Sequence, residues 1–368
     1  MDLDKLLSEA PESLLARAAD EPRPSGVIDL RRAKELSISR DTYLEAEARG
    51  MTLSELLESA EYDPSPIDSP LDAFERQLAS RGLRVGGSDP VTVELFFRGA
   101  PVLLPEFMMR EIRFGQAMRP ELTGLVGSTA RIKTNRYTPF DVDASMADSK
   151  WSLRPTGDGA NVPALVVTER VNSIDVPDYG LALKASYKAL RHRTMPQFRV
   201  LLWYIGYRMQ VDKLGLLVDV LINGDGNNNA ATVINTAVSG TLAYADLVTL
   251  WSELHPFEMN ALVCAKTKIN SILTMTEFKD PMAGFRFQST GELVNPIGAT
   301  LIRSDEVASD RLVGLDKRFA AEEVVTQPLT VEYDKIIEQR FEEAVISESV
   351  AYAKIIPDAV RVLDTVWP

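Results

Sequence analysis

Residues 196–230 read PQFRVLLWYIGYRMQVDKLGLLVDVLINGDGNNNA, and the fold turns on them. Pro196 suits the first turn of a helix, where its missing N–H forfeits no hydrogen bond. Asn223-Gly224 supplies the stop. Between them Val200, Tyr204, Tyr207, Val211, Leu214, Val218 and Leu221 recur at alternating four- and three-residue steps. Phe198, Leu201, Ile205, Met209, Leu216 and Val220 make a second stripe. A helix over 196–222 would be about 40 Å long at roughly 1.5 Å per residue. Two stripes call for burial round much of the circumference. A heptad stripe alone reads as a coiled coil. Here Gly206 and Gly215 interrupt it, and the second stripe needs its own partner. The pattern therefore predicts a long helix packed on a sheet.

Working outward, Leu181, Leu183, Ala185, Tyr187 and Ala189 alternate with Lys184, Ser186 and Lys188, which predicts a strand with one buried face. Downstream, Leu247, Leu250, Trp251 and Leu254 mark a helix, Ala261–Ala265 a strand, Ile269–Phe278 a helix and Ala299–Arg303 a strand. Ala344–Ile356 and Ala359–Leu363 read as late strands. Phe107–Phe114 reads as a short helix after Pro105. This is an α+β pattern without a regular βαβ rhythm. Residues 128–170 differ: short β-type pieces (Ala130–Thr138, Trp151–Arg154, Ala164–Thr168) lie among Gly, Pro, Asp and Ser. They suit a two-stranded excursion from the body. An isolated hairpin is marginal in water, so such an arm needs a neighbour to lie on.

The chain has 368 residues, 45% apolar and 25% charged, enough for two or three compact units. Its net charge of −13 argues against a nucleic-acid-binding protein, whose footprint is surplus Lys and Arg. The charge is uneven: residues 1–80 hold 18 acids and 9 bases, the other 288 hold 35 and 31. The first 80 residues also have three aromatics and six prolines, so they read as an appended region of short helices and linkers without a full core. Leu6–Leu7 with Leu14–Leu15, and Leu53 with Leu56–Leu57, are its amphipathic patches. The opening MDLDK has no apolar core of a secretory signal. The most apolar runs, Val200–Ile205 and Leu214–Val218, fall short of the roughly 20 residues of a membrane span. The sequence predicts no membrane association.

Chemistry has little to work with. His192, His255 and Cys264 are the only nitrogen and sulfur metal ligands, too few for a four-ligand zinc site or an iron–sulfur cluster. A single cysteine forms no internal disulfide, which fits a reducing compartment. There is no phosphate loop and no nucleophile elbow. His192 lies between Arg191 and Arg193, and His255 precedes Pro256 at a helix end. Cys264, in the apolar run Ala261–Ala265, reads as a buried strand thiol. Asn223, Asp225, Asn227 and Asn229 alternate as in a calcium loop, but Asn228 and Ile234 stand where such a loop needs Gly and a carboxylate. Glu322-Glu323 and Glu342-Glu343 read as solvated faces before acid–base pairs. The expectation is no catalytic residue, no cofactor and no metal. Arg131, Lys133 and Arg136 form a basic patch on the arm, either a solvated strand face or a surface for an acidic neighbouring subunit.

Several segments together carry a resemblance. VPDYGLALKASYKALRHRT (Val176–Thr194) leads into the long helix, which closes with DVLINGDGNNNA (Asp219–Ala230). GLDKRFAAEEVV (Gly314–Val325), EYDKIIEQRFEEAVISESVAYAKI (Glu332–Ile355) and DAVRVLD (Asp358–Asp364) follow. Over roughly residues 100–368 the chain resembles the major capsid proteins of tailed bacteriophages, the HK97-like fold. Residues 1–80 carry no matching motif.

The resemblance implies an architecture and a function. Residues 1–80 would be a scaffold-like or extra region, 81–127 the N-terminal arm and start of the peripheral domain, and 128–170 the extended loop overlapping a neighbour. Residues 171–222 would be the peripheral domain, with its spine helix at 196–222. The axial domain would take 223–325 and the C-terminal strand 357–368, with 326–356 returning to the peripheral domain. The chain would self-assemble into hexamers and pentamers of an icosahedral virion capsid. That shell would enclose double-stranded DNA without sequence-specific binding and be built in the bacterial host cytoplasm. Scaffold, portal and decoration proteins and a maturation protease are the further partners implied. Some relatives cross-link a loop Lys to a late Asn. Here Lys133 and Lys150 are available, but no Asn follows Asn295, so no cross-link is expected. An acidic first segment facing DNA favours its removal, as in relatives with a cleaved scaffolding segment, whereas its presence in the chain favours retention. The alternatives are an encapsulin-type nanocompartment shell, in the same fold, and a carboxylate-dependent hydrolase, which would leave the quoted segments unexplained.

Overall fold

The computed structural model describes residues 36–59, 71–83, 85, 90–141, 155, 158–159, 168–279, 296–336 and 341–368. The chain divides into two compact units. The first takes Met1–Arg113, Leu181–Tyr204 and Val331–Ile346; the second takes Phe114–Gly180, Ile205–Thr330 and Ser347–Pro368.

The quoted stretch is one unbroken α-helix, Met195–Asn223, a residue longer at each end than its pattern predicts. Neither glycine breaks it. At Gly215 a Cβ would stand 2.7 Å from Cγ of Glu306, an exposed side chain that can move aside. The apolar stripe splits in two. Leu214, Val218 and Leu221 are buried, whereas Val200 and Tyr204 are 59% and 61% exposed. Burial round the circumference therefore holds only for the C-terminal half.

The strands, in chain order, are β1 Ser128–Arg131, β2 Arg136–Tyr137, β3 Phe140–Asp141, β4 Thr168–Glu169, β5 Ile174–Asp175, β6 Asp178–Ser186 and β7 Thr232–Asn235. After them come β8 Ala261–Cys264, β9 Thr300–Arg303, β10 Arg311–Leu315, β11 Ala321–Ile336, β12 Phe341–Lys354 and β13 Val360–Asp364. In the second unit a mixed five-stranded sheet runs β7-β13-β10-β8-β9, parallel at both edges and antiparallel in the middle. Val313 lies opposite both Val263 and Val362, and Leu312 opposite both Cys264 and Leu363. Side chains alternate across a strand. The valines accordingly face Leu214, Leu217, Val218 and Leu221 of the long helix. Leu262, Cys264, Leu312 and Leu363 pack with Leu247, Leu250 and Leu254 of helix Tyr244–Glu253 and with Ile269 and Ile272 of helix Lys266–Thr274. Covered on both faces, β8 is buried at every residue, which is why it reads as a continuous apolar run. The expected helix Ile269–Phe278 is two, Lys266–Thr274 and Thr276–Lys279, because Met275 is extended.

A second sheet runs β1-β11-β12-β6, with Ser128–Arg131 parallel to Glu322–Val325. The expected β piece Ala130–Thr138 is therefore two strands: β1 joins this sheet, while β2 pairs antiparallel with β5. Pairs β2–β5 and β3–β4 form the two-stranded base of the excursion. Trp151–Arg154 lies outside the described residues, as does Ala164–Thr168 apart from Thr168 itself. Strand β6 corrects the reading of Leu181–Ala189. It ends at Ser186, whose side chain accepts from the Ala189 N–H and starts a short helix, Tyr187–Leu190. Nor is one face buried, for Leu181 is 47% exposed.

The first unit is built on aromatics. Phe97 packs edge-on to Phe198 and Tyr333, and Phe96 packs on Phe107. Helix Leu104–Ala117 is longer than its Phe107–Phe114 core and takes Pro105 into its first turn. From it Glu111 pairs with Arg199 at 3.0 Å and accepts from the Trp203 indole N–H at 2.7 Å.

Candidate functional site

The NGDG loop that stops the long helix holds the most deeply buried ion pair described. Gly224 and Gly226 take φ of 85° and 90°, and Asn228 56°, as a turn of Gly and Asn allows. This places the Asp225 carboxylate, 0% exposed, 3.0 Å from Arg170, itself 5% exposed. The Asp225 Oδ2 also accepts from the Lys354 backbone N–H at 3.0 Å, and its Oδ1 accepts from Asn227. Arg170 donates further to the Ile355 carbonyl at 3.0 Å. Asn172, two residues on, donates its backbone N–H to the Asn227 side chain and its amide to the Gly226 carbonyl. The carboxylate that a calcium loop would aim at a cation is thus committed to a guanidinium and a backbone N–H.

Lys354 completes the lock. Its ammonium is fully buried and donates to the carbonyls of Leu221 at 3.0 Å and Asn229 at 2.9 Å. A positive group at the Leu221 carbonyl, in the last turn of the helix, offsets the negative end of the helix dipole. Burial lowers the Lys354 pKa to about 8, with the Asp225 carboxylate opposing the shift. DVLINGDGNNNA and AYAKI, far apart in sequence, are therefore in direct contact. The return of the excursion at Arg170 is pinned to both.

GLDKR has a similar role. Asp316 is fully buried and accepts from the Glu258 N–H, the Asn260 amide, and both the backbone and side chain of Arg318. Burial alone would raise its pKa, but these hydrogen bonds outweigh it and the net shift is downward.

The candidate catalytic groups do not assemble. His192 and His255 are exposed and Cys264 is fully buried. Burial pushes the Cys264 thiol up to about 12. The adjacent carboxylates part company. Glu322 accepts from the Tyr137 hydroxyl at 2.6 Å, while Glu323 accepts from Tyr352 at 3.4 Å. Glu342 holds Tyr333 and Glu343 pairs with Lys184. In the second unit Gln210, Lys213, Glu323 and Glu348 line a cavity of about 420 Å³, with Lys213 hydrogen-bonded to Glu348. Burial raises the Glu323 pKa. On the arm Arg131, Lys133 and Arg136 are all exposed, and Arg136 pairs with Asp175 at 3.0 Å where both are solvated. No group of three or more metal-ligating side chains occurs among the described residues. No helix among them is long and apolar enough to cross a membrane. Sequence reasoning missed Arg170, whose only signal was that a buried Asp225 would need a counter-charge.

No protein-family model matches the chain, and neither does any curated protein sequence. Solved structures do. The capsid of a native GTA particle aligns at TM-score 0.50 and 15% identity, covering 67% of this chain and 90% of that one. A virus-like particle from Pyrococcus furiosus aligns at TM-score 0.48 and 13% identity, over 70% of this chain and 98% of that one. The holo-SrpI encapsulin of Synechococcus elongatus aligns at TM-score 0.47 and 14% identity, over 67% and 88%. The first of these likenesses establishes the class: the chain has the HK97-like capsid fold.

Proposed function

We propose that this chain is the major capsid protein of a tailed bacteriophage, assembling into hexamers and pentamers of an icosahedral shell around double-stranded DNA. The observation that carries the reading is the fold, shared with a capsid protein over two thirds of the chain. In this reading the second unit's five-stranded sheet lies in the axial domain. The long helix is the peripheral domain's spine, and the pairs β2–β5 and β3–β4 are the root of the extended loop. Heterologous contacts between such copies close into rings and shells. Exposed Val200 and Tyr204 on the spine helix, and the exposed basic face of the arm, are surfaces that another copy would cover. The reading assigns no catalytic residue, cofactor or metal. It includes scaffold, portal and decoration proteins and a maturation protease as partners in the host cytoplasm.

Negative-stain microscopy of the purified protein tests it. Icosahedral particles or ring-shaped capsomers are expected, and compact monomers at all concentrations overturn it. Nuclease-protected DNA of genome length inside particles from producing cells is the expected content. An enzyme cargo in its place would move the assignment to a nanocompartment shell.

A further inference from the structure

We infer that residues 36–83 are a permanent part of the folded subunit and not a removable leader, so that processing which leaves a stable product spares them. Sequence composition set residues 1–80 apart as a region without a full core. In the structure residues 36–59 and 71–83 are docked. Helices Arg40–Ala48, Leu53–Leu57 and Ala73–Ser80 belong to the first unit. Leu53, Leu56, Leu57, Phe74, Leu78 and Leu83 are at most 5% exposed. Apolar burial of this density is what holds a segment to a domain.

The polar contacts reach helix Leu104–Ala117 and the turn before it. The Ser54 N–H and hydroxyl both donate to Oε1 of Glu106, at 3.1 and 2.5 Å. Arg110 pairs with Asp72 and stacks 5.0 Å from the Phe74 ring. The Tyr43 hydroxyl donates to the Val102 carbonyl at 2.6 Å. The region is also closed on itself, with the Leu36 N–H on Gln77 and Arg81 on the Leu36 carbonyl.

Glu106 makes the dependence mutual. It is 1% exposed, and both donors to its Oε1 come from Ser54. Removing residues 36–83 would take both donors from Glu106 and both the Asp72 carboxylate and the Phe74 ring from Arg110, losses that destabilise. The acidity stays as well: residues 36–80 hold 10 acids and 3 bases, most of the excess counted over 1–80. A shell built from this subunit would carry that charge through maturation.

The test is the amino terminus of the subunit in particles from producing cells, read by intact mass and peptide mapping. Retention of residues 36–83 is expected, whether or not residues before 36 are trimmed. A subunit beginning at or beyond residue 84 overturns the inference. It does not rest on the shell reading. Should the protein form no particles, limited proteolysis of the full chain followed by gel filtration decides it. Fragments containing Leu53 and Phe74 should elute with the rest of the chain. Their separation from a body that keeps its melting temperature would overturn it.

Discussion

Arg170 and Asp225 form an ion pair at 3.0 Å with side chains 5% and 0% exposed, tying the return of the excursion to the loop that ends the long helix. Two charges taken out of water hold together only when their other hydrogen-bonding positions are filled. Here Ile355, Asn227 and the Lys354 N–H fill them.

Removing one partner strands the other. Asp225→Ala should cost about 3–5 kcal/mol in unfolding by urea, because a buried guanidinium loses its counter-charge. Asp175→Ala, which removes the exposed partner of Arg136, should cost about 1 kcal/mol or less. Equal costs for the two would show that Arg170–Asp225 is not a buried lock.

Lys354 gives a signature at alkaline pH. Burial lowers its pKa from the usual 10.5 to about 8. Below about pH 8 the folded and unfolded chains both hold the proton, and the burial cost is present in full. Between about 8 and 10.5 the unfolded chain binds a proton that the folded chain has lost, so stability rises with pH. The stability difference between wild type and Lys354→Met should grow by about 3 kcal/mol across that window. A flat difference would place the ammonium in contact with water.

Two glycines should respond oppositely to alanine. At Gly127 a Cβ would lie 2.5 Å from the Arg318 carbonyl oxygen, and backbone cannot swing aside. Gly127→Ala should lower stability by about 1–3 kcal/mol. At Gly215 the neighbour is the exposed side chain of Glu306, which can move. There alanine recovers helix propensity, up to about 1 kcal/mol, so Gly215→Ala should be neutral or stabilising in thermal melts.

Cys264 should be silent. It is fully buried, with its thiol pushed up to about 12. A thiol reagent at neutral pH should label one group per chain in denaturant and essentially none in the native protein. Rapid native labelling would mean that β8 opens.

Assembled shells should run as single chains on denaturing gels. Lys133 is exposed on the arm, yet the chain has no Asn after Asn295 to receive it. A ladder of covalent oligomers would point to another acceptor.

The elements with strong local patterns were legible. The long helix carries its own stripe, Pro start and Asn-Gly stop, so its limits in the structure differ from the reading by a residue at each end. Strands β8 and β13 were legible as short apolar runs. Errors fell where a side chain redirected the backbone locally. Ser186 caps a helix inside an alternating run, and Lys133–Asn135 divides a β piece between two ladders.

By itself the sequence determined the α+β elements, the turn chemistry at Gly224 and Gly226, and the poverty of groups for catalysis or metal binding. These follow from periodicity, backbone freedom and residue counts, all local or additive. Only the tertiary structure decided which half of the long helix is buried, that Lys354 caps it, that Arg170 answers Asp225, and that residues 36–59 and 71–83 are docked. Each of these depends on long-range contact: Ser54 and Glu106 lie 52 residues apart, and Lys354 and Leu221 133. Burial and charge pairing belong to the surroundings a side chain meets, and the chain itself brings those together only by folding.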